Sequence, residues 1–170
     1  GVLLGYSWQA LARVWGTPVV GEFFQAASTR QGFRRAVAGA NPGGLPPAFV
    51  ERMYDDYDWR TRRAVLRLYR ATADPGRTAP ALAAMLRRIQ RPAMVVWGQH
   101  DPFIPVAQAE RQREAFPGAQ VVVLPESGHW PFADDPETVA AVMLPFLREN
   151  VSSQRVGARL LDAGVPVGYA

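Results

Sequence analysis

Residues 91–149 read RPAMVVWGQHDPFIPVAQAERQREAFPGAQVVVLPESGHWPFADDPETVAAVMLPFLRE, and this stretch decides the fold. Residues 93–97 (AMVVW) are a short continuous apolar run, β-branched in part and bounded by Pro92 and Gly98. That is the pattern of a strand buried on both faces. Residues 105–116 are amphipathic and open with a proline, which the first turn of a helix accommodates. Residues 120–124 (QVVVL) repeat the buried-strand pattern. Asp135, followed by Pro136 and Glu137, then supplies an acceptor at a helix cap and a proline at the first helical position. Strand, helix, strand, helix with tight connections predicts two parallel strands joined by a right-handed crossover.

Parallel neighbours end at the same edge of a sheet, about 4.8 Å apart. The loops after Trp97 and Leu124 therefore open side by side, and they carry Asp101 (WGQHDPFIP) and His129 (PESGHWPFADDPE). Open α/β sheets put their sites at this edge. A carboxylate that accepts from one imidazole nitrogen fixes the tautomer and frees the other nitrogen as a general base. Taken singly, Asp101 could be a turn residue before proline and His129 a loop histidine on a backbone carbonyl; their joint placement favours catalysis. His100 adjoins Asp101 and is expected to face solvent.

Upstream, between Tyr6 and Gln90, the chain carries helical patterns and no internal strand. Helices are expected over 7–15, 18–27, 29–38, 47–57, 59–73 and 78–89, separated by glycine- and proline-containing turns such as GANPGGLPP. In the fifth of these, Thr61, Val65, Leu68, Tyr69 and Thr72 share a face opposite an arginine row, so Tyr69 is expected to look inward. Trp8, Trp15 and Trp59 are candidates for an apolar pocket or for core. Residues 150–170 form a weakly patterned tail with a short helix expected near 156–161.

Composition narrows the class. The chain has 170 residues, 48% of them hydrophobic, and a mean hydropathy near zero, as in ordinary globular proteins, with no apolar run long enough to span a bilayer. It starts without an initiator methionine or a basic signal-peptide region, and a fragment of a longer cytoplasmic protein is expected. It has no cysteine and only two histidines. Disulfides, thiolate metal sites and a multi-histidine metal site are therefore not expected, and no cofactor is called for. All 19 basic residues are arginine. Ten fall between Arg52 and Arg91, but Arg60, Arg63, Arg67 and Arg70 recur at helical spacing, as on a solvated helix face, so a nucleic-acid partner is not expected; binding that falls steeply with salt would indicate one.

Residues 91–149 resemble the C-terminal portion of an α/β-hydrolase, with the family's acid loop at Asp101 and its histidine loop at Gly128–His129–Trp130, and the all-helical stretch from Tyr6 to about Ala73 resembles its cap. The resemblance implies an α/β fold in which residues 1–5 end a core strand, 6–77 form a helical cap, 78–149 form the C-terminal part of the core and 150–170 a tail. GYSWQ at residues 5–9 matches four-fifths of the G-x-S-x-G elbow. Yet only GVLL precedes Ser7, no strand follows until residue 93, and Gln9 stands where a small residue belongs. Ser7 is thus expected to cap the first helix, leaving the nucleophile on a missing N-terminal half of the same fold and the 170 residues alone inactive. Tyr69, followed by arginine, resembles the cap tyrosine of epoxide hydrolases and haloalkane dehalogenases. With Trp130 as a pocket wall, that implies a small apolar organic substrate and an aspartate nucleophile forming an alkyl ester. Serine-type hydrolysis of an ester or carbon–carbon bond uses similar loops and is the alternative. A non-catalytic binding module on the same scaffold is another.

Overall fold

The computed structural model describes residues 2–150. Six helices come first: α1 (Ala10–Gly16), α2 (Val20–Ala26), α3 (Arg30–Ala38), α4 (Pro47–Asp55), α5 (Trp59–Ala71) and α6 (Pro75–Ile89). Their starts follow the sequence closely. Thr29, Asp58 and Asp74 cap α3, α5 and α6 by accepting from the amides of Gly32, Thr61 and Arg77. The expected boundary at residue 77 falls inside α6. Ion pairs tie the first helices together: Arg30 and Arg34 both reach Glu51, and Arg70 reaches Glu22. Arg60, Arg63 and Arg67 of the arginine row stand exposed.

The order then becomes β1 (Met94–Gly98), α7 (Ala107–Arg111) with a 3-10 turn at Gln112–Glu114, β2 (Gln120–Leu124), α8 (Pro131–Asp134) and α9 (Pro136–Asn150). The two strands are parallel, with Met94 opposite Gln120 and Gly98 opposite Leu124. Asp135 caps α9 by accepting from the amide of Thr138 at 3.2 Å, as its position before Pro136 predicts. Burial on both faces is corrected. Among the described residues the sheet has two strands, only Gly98 and Leu124 of them are fully buried, and an open apolar groove runs along β1 against Met143, Phe146 and Leu147 of α9. An apolar run therefore marked strands correctly, while how deeply they are buried depends on what lies beside β1.

Residues 2–4 make no ladder with either described strand. Side chains of the crossover between β1 and β2 take their backbone instead. Gln112, 2% exposed, accepts from the amide of Val2 at 2.8 Å and donates to its carbonyl at 2.9 Å, as a neighbouring peptide group would. Gln108 donates to the Leu4 carbonyl at 3.1 Å. Val2 and Leu4 pack with Ala79, Ala83 and Ala115 in a small core. Ser7 is exposed and does not cap α1. The helix begins at Ala10 with Gln9 at the cap position and no side-chain cap bond. The chain is drawn past Ser7 because Tyr6 donates to the Phe103 carbonyl at 2.9 Å and Trp8 to the Thr72 carbonyl. Among the described residues no helix is long and apolar enough to cross a membrane, and no group of three or more His, Asp or Glu could hold a metal ion. The helix expected at 156–161 lies outside the described residues.

Candidate active site

Asp101 and His129 meet at the C-terminal edge of the sheet, each on the loop that follows its strand. His129 Nδ1 lies 2.8 Å from Asp101 Oδ2, and the Asp101 side chain is 6% exposed. The second carboxylate oxygen accepts from the amides of Phe103 at 2.8 Å and Ile104 at 3.0 Å, so Asp101 is fixed from both sides. Two glycines let the loops approach. A Cβ on Gly98 would stand 2.0 Å from the Gly128 carbonyl oxygen, and one on Gly128 would stand 2.2 Å from the Ala40 carbonyl oxygen. Backbone meets backbone at both points, and any side chain would wedge the loops apart. His100 is exposed, as expected, with its amide donating to the Ser127 carbonyl.

Burial works to raise the pKa of Asp101, but the hydrogen bond from His129 and the two loop amides outweigh it and hold the carboxyl below its ordinary 3.8. A carboxyl lowered in the folded state adds stability above its unfolded value and loses that contribution as pH falls through the lowered one. Asp101→Asn is therefore expected to destabilise the chain at neutral pH and to make its stability less sensitive to acid. Denaturant midpoints measured from neutral pH down through the acid transition check both effects.

His129 and Trp130 open onto a cavity of about 620 Å³ beneath α1–α5, within the size range of small-molecule sites. Tyr69 lines the same cavity, beside Trp8 at 4.8 Å and Trp15 at 5.2 Å between ring centroids. The inward face expected for Tyr69 is thus the cavity wall. Trp59 is corrected: it is 65% exposed, with Arg60 stacked 5.5 Å over its ring, and lies outside the cavity. Trp59 opens α5 outside the face shared by Val65, Leu68 and Tyr69, which line the cavity. Among the described residues no arginine, aspartate or glutamate lines the cavity, although the chain carries 19 arginines. Burial pushes the Tyr69 phenol up, with smaller contributions from Tyr6 and Tyr57, so it stands as a neutral hydrogen-bond donor.

The sequence did not mark Ala40, Asn41 or Asp134, which hold the histidine loop. Asn41 sits in GANPGGLPP, read simply as a turn, and its partners are about ninety residues away in the chain. No local signal could have found it.

Residues 2–142 match a family model described as the alpha/beta hydrolase family. A Pseudomonas putida protein named as the dihydrolipoyllysine-residue acetyltransferase component of an acetoin cleaving system is 35% identical over 136 residues, covering 71% of this chain and 34% of that protein. A 2-hydroxy-6-oxononadienedioate/2-hydroxy-6-oxononatrienedioate hydrolase of Pseudomonas putida is 31% identical over 72 residues, 42% of this chain and 25% of its own length. The chain thus spans about a third or less of these curated relatives. Among solved structures, the 2-hydroxy-6-oxo-6-phenylhexa-2,4-dienoate hydrolase of Rhodococcus sp. strain RHA1 superposes with a TM-score of 0.64 at 18% identity, over 85% of this chain and 51% of that one. The likeness is one of fold. With the family model covering most of its length and an acid and a histidine loop at adjacent strand ends, the chain belongs to the alpha/beta hydrolase family.

Proposed function

We propose that these residues supply the acid, Asp101, and the base, His129, of a nucleophile–histidine–acid hydrolase, acting by serine-type hydrolysis of an ester or carbon–carbon bond in a small uncharged substrate. The observation that carries this reading is the 2.8 Å bond between a buried carboxylate and an imidazole at the mouth of the cavity. With its Nδ1–H donating a hydrogen bond to Asp101, His129 keeps Nε2 free to take a proton from an attacking hydroxyl and return it to the leaving group. Asp101 steadies the imidazolium in between. On this reading the nucleophile lies outside the described residues: Ser7 is exposed and lines no part of the cavity. Ser28 does line it, on the turn between α2 and α3, without any strand to form an elbow.

The carbon–carbon bond hydrolases among the relatives favour the serine-type reading over an aspartate nucleophile. Their names specify carboxylate-bearing substrates, and in that respect the cavity differs. Burying an unpaired carboxylate among Trp8, Trp15, Phe33 and Tyr69 would cost several kcal/mol, and no arginine among the described residues lines the cavity to offset it. Epoxide or haloalkane hydrolysis is the second reading, and Tyr69 favours it, since a neutral phenol at the cavity wall can donate to an epoxide oxygen or a leaving halide.

Two measurements on the 170-residue chain test this reading. Tryptophan fluorescence should report methyl benzoate binding at least about tenfold tighter than benzoate; equal or reversed affinities would contradict an uncharged substrate. An activated ester should not be turned over by the chain alone. Turnover abolished by Ser7→Ala or Ser28→Ala would contradict a nucleophile from outside.

A further inference from the structure

We infer that Asn41 and Asp134 are positioning residues for His129, forming with the Ala40 carbonyl a clasp on three successive backbone amides of the histidine loop. Asp134 Oδ2 accepts from the Gly128 amide at 2.9 Å. The Ala40 carbonyl accepts from the His129 amide at 3.1 Å. Asn41 Oδ1 accepts from the Trp130 amide at 3.4 Å. Asn41 Nδ2 donates in turn to Asp134 Oδ2, which closes the ring between the two side chains. Asn41 is 2% exposed and Ala40 1% exposed, so water does not compete for these bonds.

The clasp matters because a loop leaves its amides without ladder partners, and His129 can meet Asp101 only if its backbone is fixed. Three consecutive donors captured together remove the freedom of the residue in the middle. Two of the acceptors, Ala40 and Asn41, follow directly on α3, whose Phe33, Ala36 and Val37 line the cavity. The helices above the cavity thus hold the base as well as the substrate. Gly128 is part of the same device, since its missing side chain lets the Ala40 carbonyl and Asn41 Cα come close.

This inference rests on His129 as the base, and its test separates the two. In the unsubstituted chain, the amides of Gly128, His129 and Trp130 should exchange with solvent together and at least about a hundredfold more slowly than an open loop amide. Exchange as fast as in open loops would overturn the clasp whatever His129 does. In Asn41→Ala and Asp134→Ala, the proton resonance of His129 Nδ1 should broaden or vanish while the chain still melts cooperatively. Asp134→Asn keeps one oxygen able to accept from both Gly128 and Asn41, so the resonance should return. A destabilising side chain with no positioning role would lower the melting temperature and leave that resonance in place, and this result in either alanine variant would overturn the proposal. Absence of the resonance from the unsubstituted chain would instead count against His129 as the base, leaving the exchange measurement to decide the clasp.

Discussion

His129→Gln is expected to lower ester turnover by on the order of 10⁴-fold or more, with little change in KM, once residues 1–170 are joined to the nucleophile-bearing part of a hydrolase fold. Glutamine can fill part of the space of the imidazole, but it cannot take a proton from a serine hydroxyl. Asp101→Asn should come close to the same loss by a different route. The amides of Phe103 and Ile104 require an acceptor at Oδ1, so the asparagine keeps its oxygen there and turns its NH₂ toward His129 Nδ1. That nitrogen must then accept, the proton moves to Nε2, and the base is presented in the wrong tautomer. Steady-state rates with an activated ester check both variants, and a decrease smaller than about tenfold in either would contradict the assigned roles. Intact-protein mass also separates the two chemistries. A serine enzyme lacking His129 acylates slowly and accumulates no adduct, whereas an aspartate nucleophile would still open an epoxide or displace a halide once and trap the alkyl ester.

Gly98→Ala is the second large effect, expected to cost about 3 kcal/mol of stability. The added Cβ would meet the Gly128 carbonyl oxygen at 2.0 Å and the Ser127 carbonyl oxygen at 2.6 Å. Both are backbone atoms, so no rotamer change relieves the clash and the two loops must separate. Space is the cause here, because the left-handed glycines among the described residues are Gly5 and Gly44. Gly118→Ala is the matched control, with nothing within 4 Å of its Cβ, and should stay within about 0.5 kcal/mol of the parent. Urea unfolding compares the three chains. Equal midpoints for Gly98→Ala and Gly118→Ala would contradict the close packing of the acid and histidine loops.

The parts of the fold that were legible in the sequence are those governed by local chemistry. AMVVW and QVVVL are β-branched apolar runs closed by Pro, Gly and Gln, and the strands formed within one residue of them, at Met94–Gly98 and Gln120–Leu124. Asp135 before Pro136 fixed the start of α9 for the same reason. The meeting of Asp101 and His129 was legible because parallel strands joined by one crossover must end at one edge, whatever else the sheet contains. Long-range contacts were not legible. Nothing near Gln112 indicates that its amide serves as a peptide partner for Val2, and nothing near Asn41 indicates that it holds residues 128–130. Trp59 looked like Trp8 and Trp15 in pattern, and only the packing of α1 against α5 decides which indoles face the cavity. Tyr69 reached the cavity wall, on the inward face that its helix pattern predicts, yet one phenol does not by itself fix the branch of the family.

The tautomer of His129 in solution tests the acid–base pair most directly. The chain has only two histidines, His100 and His129, so nuclear magnetic resonance of the isotope-labelled residues resolves both rings. The assignment predicts that one ring carries its proton on Nδ1 in a slowly exchanging, strongly downfield resonance. That signal should persist in His100→Gln and disappear in His129→Gln and in Asp101→Ala. A His129 protonated on Nε2, or an Nδ1 resonance that survives Asp101→Ala, would contradict it.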